Sequence, residues 1–134
     1  MNDIQKRFAM FLGGCITTRA GFVVLSYFLA RSSKSNAAKT LKGLGYLALL
    51  PALGWIIIFS FGLRKKGRET QQAPIWWNFA RPFHAMFYIL FAAFVLSNDY
   101  KLVKNAYIWL LIDVVLGLTL FLWYHIKNNN LRYL

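Results

Sequence analysis

The stretch 8–30, FAMFLGGCITTRAGFVVLSYFLA, is an apolar run with an arginine, Arg19, at its centre. As a helix rising 1.5 Å per residue it reaches roughly 34 Å, enough to cross the hydrocarbon core of a bilayer. A guanidinium at that depth costs about 2.5–3.5 kcal/mol on insertion scales. Whatever the chain folds into must hide Arg19 or use it.

Three more apolar runs of spanning length follow, at 41–63, 75–97 and 105–126. The chain has 134 residues, is 58% hydrophobic and has a positive mean hydropathy. A soluble domain of this size could not bury so much apolar surface, so the surplus is expected to face lipid. The spans with their connections of roughly 7 to 11 residues leave no segment for a soluble domain, and short connections favour antiparallel neighbours. The expected fold is therefore all-α, an integral membrane four-helix transmembrane bundle forming one domain over residues 1–134.

The net charge is +12, from sixteen Lys and Arg against four acids. In a soluble protein that balance suggests nucleic acid. Here fourteen of the sixteen lie outside the span centres, where lysine and arginine snorkel to anionic headgroups. The expected partners are the bilayer and anionic headgroups, with no nucleic acid. Cys15 is the single cysteine, so it makes no internal disulfide. Lys6 and Arg7 before an apolar run mimic a signal peptide, but the run is long and Arg19 interrupts it, so it reads as an uncleaved first span.

With four spans, the termini and the second loop share one side. That side carries Lys6, Arg7, Arg64, Lys65, Lys66, Arg68, Lys127 and Arg132, against Arg31, Lys34, Lys39, Lys42, Lys101 and Lys104 on the other. Eight against six is a slight bias toward cytoplasmic termini. The first loop, RSSKSNAAKT, reads as an exposed connection, and RKKGRET is the densest basic cluster.

Within span one, Gly14 and Thr18 are four apart, as are Thr17 and Gly21. Small residues at that spacing let helix backbones approach in lipid, either inside the bundle or between two copies. Pro51 near the middle of span two is expected to kink it, and Gly43, Gly45 and Gly54 suggest close packing there. In span three, Pro74 suits a helix start and Pro82 is expected to bend the helix one to two turns in. At 100° per residue, Trp77, Asn78, Arg81, His84, Ala85, Tyr88 and Ala92 share one side. Phe79, Phe83, Phe87, Phe91 and Phe94 cover much of the other, expected to meet lipid or a neighbouring helix. Span four carries Asp113 near mid-depth and Gly117 one turn on.

Two constellations stand out. Arg19 and Asp113 sit near the midplane of spans one and four, and pairing removes most of the penalty of leaving each charge alone in lipid. Gly117 would give Arg19 room to approach. The pair is either structural or part of an ion, proton or ligand pathway. The second group is Trp77, Asn78, Arg81, His84 and Tyr88, where arginine with aromatics and an amide at interface depth suits a phosphate or carboxylate headgroup. Its blander reading is an interface anchor with a satisfied polar seam. His84 and His125 could ligate a b-type haem from neighbouring antiparallel helices, but their depths match only loosely, so neither haem nor another cofactor is expected. No carboxylate or cysteine joins them, so no metal site is expected either.

No hydrolase elbow, phosphate loop, zinc pattern or paired carboxylates appear, which points away from acid–base catalysis. Small four-span glutathione-transferring enzymes share this size and basicity, but the RPFH of span three is too little to stand for their arginine- and asparagine-rich helix signature. The segments FLGGCITTRAGF, IWWNFARPFHAMFYILFA and WLLIDVVLGLTLFLWYH together resemble a group of uncharacterised small four-span proteins encoded by large DNA viruses of algae and protists. The resemblance covers most of the chain and rests on no defined motif. It implies a viral membrane protein, such as one of a virion's internal membrane, and supports no particular site.

The leading expectation is a structural or interaction subunit of a membrane assembly, as a homo-oligomer or within a larger complex. The alternatives are a small ion or proton channel or transporter using Arg19 and Asp113, and a membrane enzyme or lipid-binding protein using the Arg81, His84 and Tyr88 face.

Overall fold

The computed structural model describes residues 2–63 and 77–134, and every regular element among them is helical. Four helices make up these residues. α1 runs Asp3–Arg31, α2 Ser35–Ser60, α3 Arg81–Val95 and α4 Tyr100–Lys127. A single 3-10 turn, Asn78–Ala80, leads into α3, and another, Asn130–Tyr133, ends the chain. Contacts run in a ring: α1 with α2, α2 with α3, α3 with α4, and α4 back to α1.

α1, α2 and α4 are each long and apolar enough to cross a membrane. α3 differs from the expected third span. It has 15 residues, about 22 Å at the helical rise, against roughly 30 Å of hydrocarbon. Pro82 explains its late start. A proline in the first turn gives up an N–H that has no intrahelical partner anyway. It therefore begins α3 instead of bending it. Pro74 and the basic cluster of the second loop lie outside the described residues.

The expected first loop is also shorter than the polar sequence suggests. Only Ser32–Lys34 separates α1 from α2, and most of the remaining polar residues form α2's opening turns. Ala37 there is buried, and Thr40 donates to the Asn36 carbonyl at 2.9 Å. Between α3 and α4 the chain turns within residues 96–99, where Asp99 accepts from the Lys101 N–H at 2.9 Å. Asn2 and Gln5 form a reciprocal capping box at the start of α1.

The core lies along the α2–α3 seam and includes Leu41, Ala48, Ala52, Ala85, Tyr88, Phe91 and Leu110. Gly45 sets how closely the two helices approach: a Cβ there would stand 3.1 Å from Val95 Cγ1. Gly43 and Gly54 meet nothing within 4 Å, so the close packing expected of all three holds at Gly45 alone. The phenylalanine ridge of α3 divides. Phe79 and Phe83 are half exposed, whereas Phe91 is 1% exposed in the core. At 100° per residue Phe91 lies about 80° from Arg81, on the edge of the inward arc and not opposite it.

The small residues of α1 do not pack inside the chain. Gly14, Thr17, Thr18 and Gly21 are exposed, and a Cβ at Gly14 or Gly21 would touch nothing within 4 Å. α1 turns its Arg19 side inward, which points this stripe outward. The helix also widens into a π turn at Phe11–Ile16, where the Thr17 hydroxyl donates to the Leu12 carbonyl at 2.7 Å.

The Gly45 contact yields a prediction. Gly45→Val forces apart a filled seam and should destabilise the protein by about 1–3 kcal/mol, whereas Gly43→Val should be near neutral. Unfolding midpoints of the two variants in mild detergent check this. Equal midpoints would contradict the packing described.

Candidate functional site

Asp113 is the centre of the site. It projects from the middle of α4 and is fully buried. Two side chains from two other helices reach it. Arg19 of α1 donates from Nη1 to Asp113 Oδ2 at 3.3 Å, and His84 of α3 donates from Nδ1 to Asp113 Oδ1. One carboxylate thus ties three helices together. A buried carboxylate with both oxygens occupied meets the condition under which such a charge is tolerated.

Gly117, one turn along α4, faces both partners. A Cβ there would stand 3.4 Å from Arg19 Nη1 and 3.7 Å from His84 Cε1. α2 adds a fourth wall through Trp55. The Arg19 guanidinium carbon lies 5.2 Å from the Trp55 ring centre, and that ring also meets His84 at 5.7 Å and Tyr88 at 5.0 Å.

The residues of the second constellation do not act as one face. Arg81 is buried, donates from Nη1 to Asn78 Oδ1 at 2.8 Å and reaches the Leu63 carbonyl at 3.5 Å. His84 instead belongs to Asp113, and Tyr88 packs in the core beneath Trp55. The helix period correctly groups these side chains in angle, but they point to different neighbours at successive depths. Trp77 sits half-buried at the top.

The two constellations nevertheless meet across one cavity of about 250 Å³. Arg7 and Arg19 of α1 and Arg81 of α3 line it, with His84 and His125. Its aromatic walls are Phe11, Trp55, Trp77 and Phe121. Below His125 the rings close up: Phe11 stacks on Phe121 at 3.9 Å, and Phe8 meets Phe121 and His125, each at 4.8 Å. His125 Nδ1 accepts from Asn130 Nδ2 at 2.8 Å. The two histidines considered for haem thus have their Nδ1 atoms held by Asp113 and Asn130. Among the described residues no cluster of three or more His, Cys, Asp or Glu is arranged to hold a metal ion.

The chain ends also meet on this side. Asn2 Nδ2 donates to the Tyr133 carbonyl at 2.8 Å and Gln5 Nε2 to the Leu134 carbonyl at 3.2 Å. At the opposite end Arg31 stacks on Tyr27 at 3.8 Å and donates to the Lys104 carbonyl at 3.3 Å, tying α1 to α4.

Neither protein-family models, nor curated proteins, nor solved structures give a match to this chain. The site is therefore read from its own geometry.

Sequence reasoning misses three features of the site: Trp55, Arg7 and the His84–Asp113 contact. One signal for the last is present. Counted in from the second-loop end, His84 and Gly117 are equally deep in their spans (84 − 75 and 126 − 117 are both 9), and Gly117 shares a helix face with Asp113.

The charge arrangement makes a prediction. Arg19→Met leaves a buried carboxylate with one partner fewer and should destabilise by about 3–5 kcal/mol. The double variant Arg19→Met with Asp113→Leu should recover most of that loss, because it removes both charges together. Chemical unfolding in detergent measures both. A double variant that loses as much as the sum of the single variants would contradict direct coupling.

Proposed function

We propose that this is a multi-pass membrane protein whose interior cavity binds the anionic head of an amphiphile, a phosphate or a carboxylate. The observation that carries the reading is the convergence of Arg7, Arg19 and Arg81 on one aromatic-walled cavity. Arginine's planar fork suits bidentate contact with such oxyanions. Asp113 holds Arg19 by a single Nη1 contact, so the fork is oriented while other N–H groups remain for a second acceptor. His84 and Trp55 fix the same guanidinium from two more helices through Asp113 and the ring face.

In this reading the four helices form a transmembrane bundle, with α3 accommodated by local thinning of the bilayer. Exposed apolar side chains such as Phe28, Leu50, Leu53 and Val115 then face lipid. The cavity runs from the end where the termini meet, on the side given the cytoplasmic bias, inward to Arg19 near mid-depth. The membrane in this reading is that of a virion, as the resemblance to small viral four-span proteins implies. A purely structural subunit is less well served by the geometry. A scaffold has no need of three arginines brought to one aromatic-walled cavity. A channel is likewise less well served, because Arg19 and Asp113 hold one another.

The test is binding of a soluble phosphate monoester, glycerol 3-phosphate, to the detergent-solubilised protein, followed by phosphorus NMR line broadening. Arg7→Gln removes one charge-assisted donor from the cavity, worth about 1.5–3 kcal/mol, and should weaken binding roughly tenfold or more. Lys101→Gln, on the exposed turn into α4, should change nothing. No binding by the wild type, or equal effects of the two substitutions, would contradict the proposal.

A further inference from the structure

A second space opens beside the cavity. It is a groove of about 480 Å³ between α1 and α2, and its wall is almost wholly apolar. Gly14 and Thr18 form one side, Leu44, Leu47 and Pro51 the other, and Phe91 and Leu110 the floor. Two of the exposed small residues of α1, Gly14 and Thr18, are therefore part of one wall of this groove. The absence of side-chain bulk at Gly14 keeps it open.

The groove and the cavity are not independent. Cys15, Arg19 and Trp55 line both. They stand at the junction, with arginines on one side and hydrocarbon on the other. The order along each helix also agrees. The cavity is lined by Arg7 and Phe11 of α1, Ile58 of α2, Arg81 and His84 of α3 and Phe121 of α4. The groove takes positions further from the shared end: Thr18 and Phe22, Leu44 and Ala48, Phe91, and Leu110. A molecule with its charged head in the cavity would thus send its tail along the groove, away from the end where the termini meet. A lipid in one leaflet has this orientation.

We infer that the ligand is a single-chain anionic phospholipid of the lysophosphatidate type, with its phosphate monoester among Arg7, Arg19 and Arg81 and its acyl chain in the α1–α2 groove. The inference rests on the reading of the cavity as an anion site and adds the tail. One groove adjoins the cavity and shares Cys15, Arg19 and Trp55 with it, which suits one chain. The cavity's volume of about 250 Å³ is more than a bare carboxylate fills. A glycerol phosphate head uses that room, and a phosphate dianion suits several arginines better than a carboxylate does. Charge at one end and apolar wall at the other is the complementarity that selects an amphiphile over a free anion.

The test is native mass spectrometry of the protein released from mild detergent containing 1-palmitoyl lysophosphatidate, with palmitate, palmitoyl lysophosphatidylcholine and dipalmitoyl phosphatidate as competitors at equal concentration. One bound lysophosphatidate, retained at least tenfold over each competitor, is expected. Gly14→Leu fills the groove without touching the cavity. It should lower lysophosphatidate retention about tenfold and leave glycerol 3-phosphate binding unchanged. Leu47→Trp, an exposed position on the opposite wall, should do the same, which guards against one variant failing to fold. Retention of palmitate or of the diacyl lipid to an equal degree would overturn the inference. So would groove-filled variants that bind lysophosphatidate like the wild type. Glycerol 3-phosphate bound by the wild type with no gain from the acyl chain overturns the tail alone, whereas failure of glycerol phosphate and lysophosphatidate together removes the anion site itself.

Discussion

A carboxylate with no exposure to solvent is the constraint around which this protein is arranged. Asp113 needs both of its oxygens occupied, and it draws a guanidinium from α1 and an imidazole from α3 to do so. Both partners pass beside Gly117 of α4, at distances where a Cβ would make ordinary contact. They also determine which side of α1 faces inward. Once Arg19 turns toward Asp113, the small residues of the same helix turn outward. The polar centre therefore specifies the helix arrangement as well as the site, the use of buried charge with the clearest physical basis when its net contribution to stability is small.

The cavity follows from the same constraint. The Arg19 guanidinium, held by Asp113 on one side and against the Trp55 ring on another, lines the same space as Arg7 and Arg81. Aromatic rings from α1, α2 and α4 and from Trp77 supply much of its wall, with Met10, Ile58 and Leu120 between them. Rings offer a polarised face to a guanidinium and to a phosphate-bearing headgroup's apolar stem alike. The result is a chamber with charge held in fixed directions and a greasy exit between α1 and α2.

The amino-acid sequence makes some of this legible and hides the rest. Four helices separated by three connections follow from hydropathy alone. The depth of Arg19 and of Asp113 makes each a candidate partner for the other, because a lone charge at mid-depth is costly whichever helices adjoin. The partner of His84 is not legible, since periodicity places a side chain on a face but does not say which helix that face meets. For the same reason Arg81, His84 and Tyr88 look like one patch in sequence, whereas in the fold Arg81 and His84 line the cavity with different partners and Tyr88 packs in the core. Spacing alone suggests that the small-residue stripe of α1 packs, whereas Arg19 already claims the inward side of that helix. Pro82 begins the helix that its position suggests it should bend, because helix starts are poorly marked within a continuous apolar run. The cavity has no sequence signature at all. It is made by residues from every helix, brought together only by the fold.

The most direct measurement is a dipolar recoupling experiment between arginine nitrogen and lipid phosphorus in the protein reconstituted with lysophosphatidate. Nitrogen-labelled arginine reports each guanidinium, and the resonance lost in Arg19→Lys identifies Arg19. Strong dephasing of the Arg19 signal by phosphorus is expected, from a phosphate in hydrogen-bond contact with the guanidinium that Asp113 holds. An Arg19 signal untouched by phosphorus, with dephasing confined to arginines outside the cavity such as Arg31 and Arg132, would contradict an anion held at the buried site.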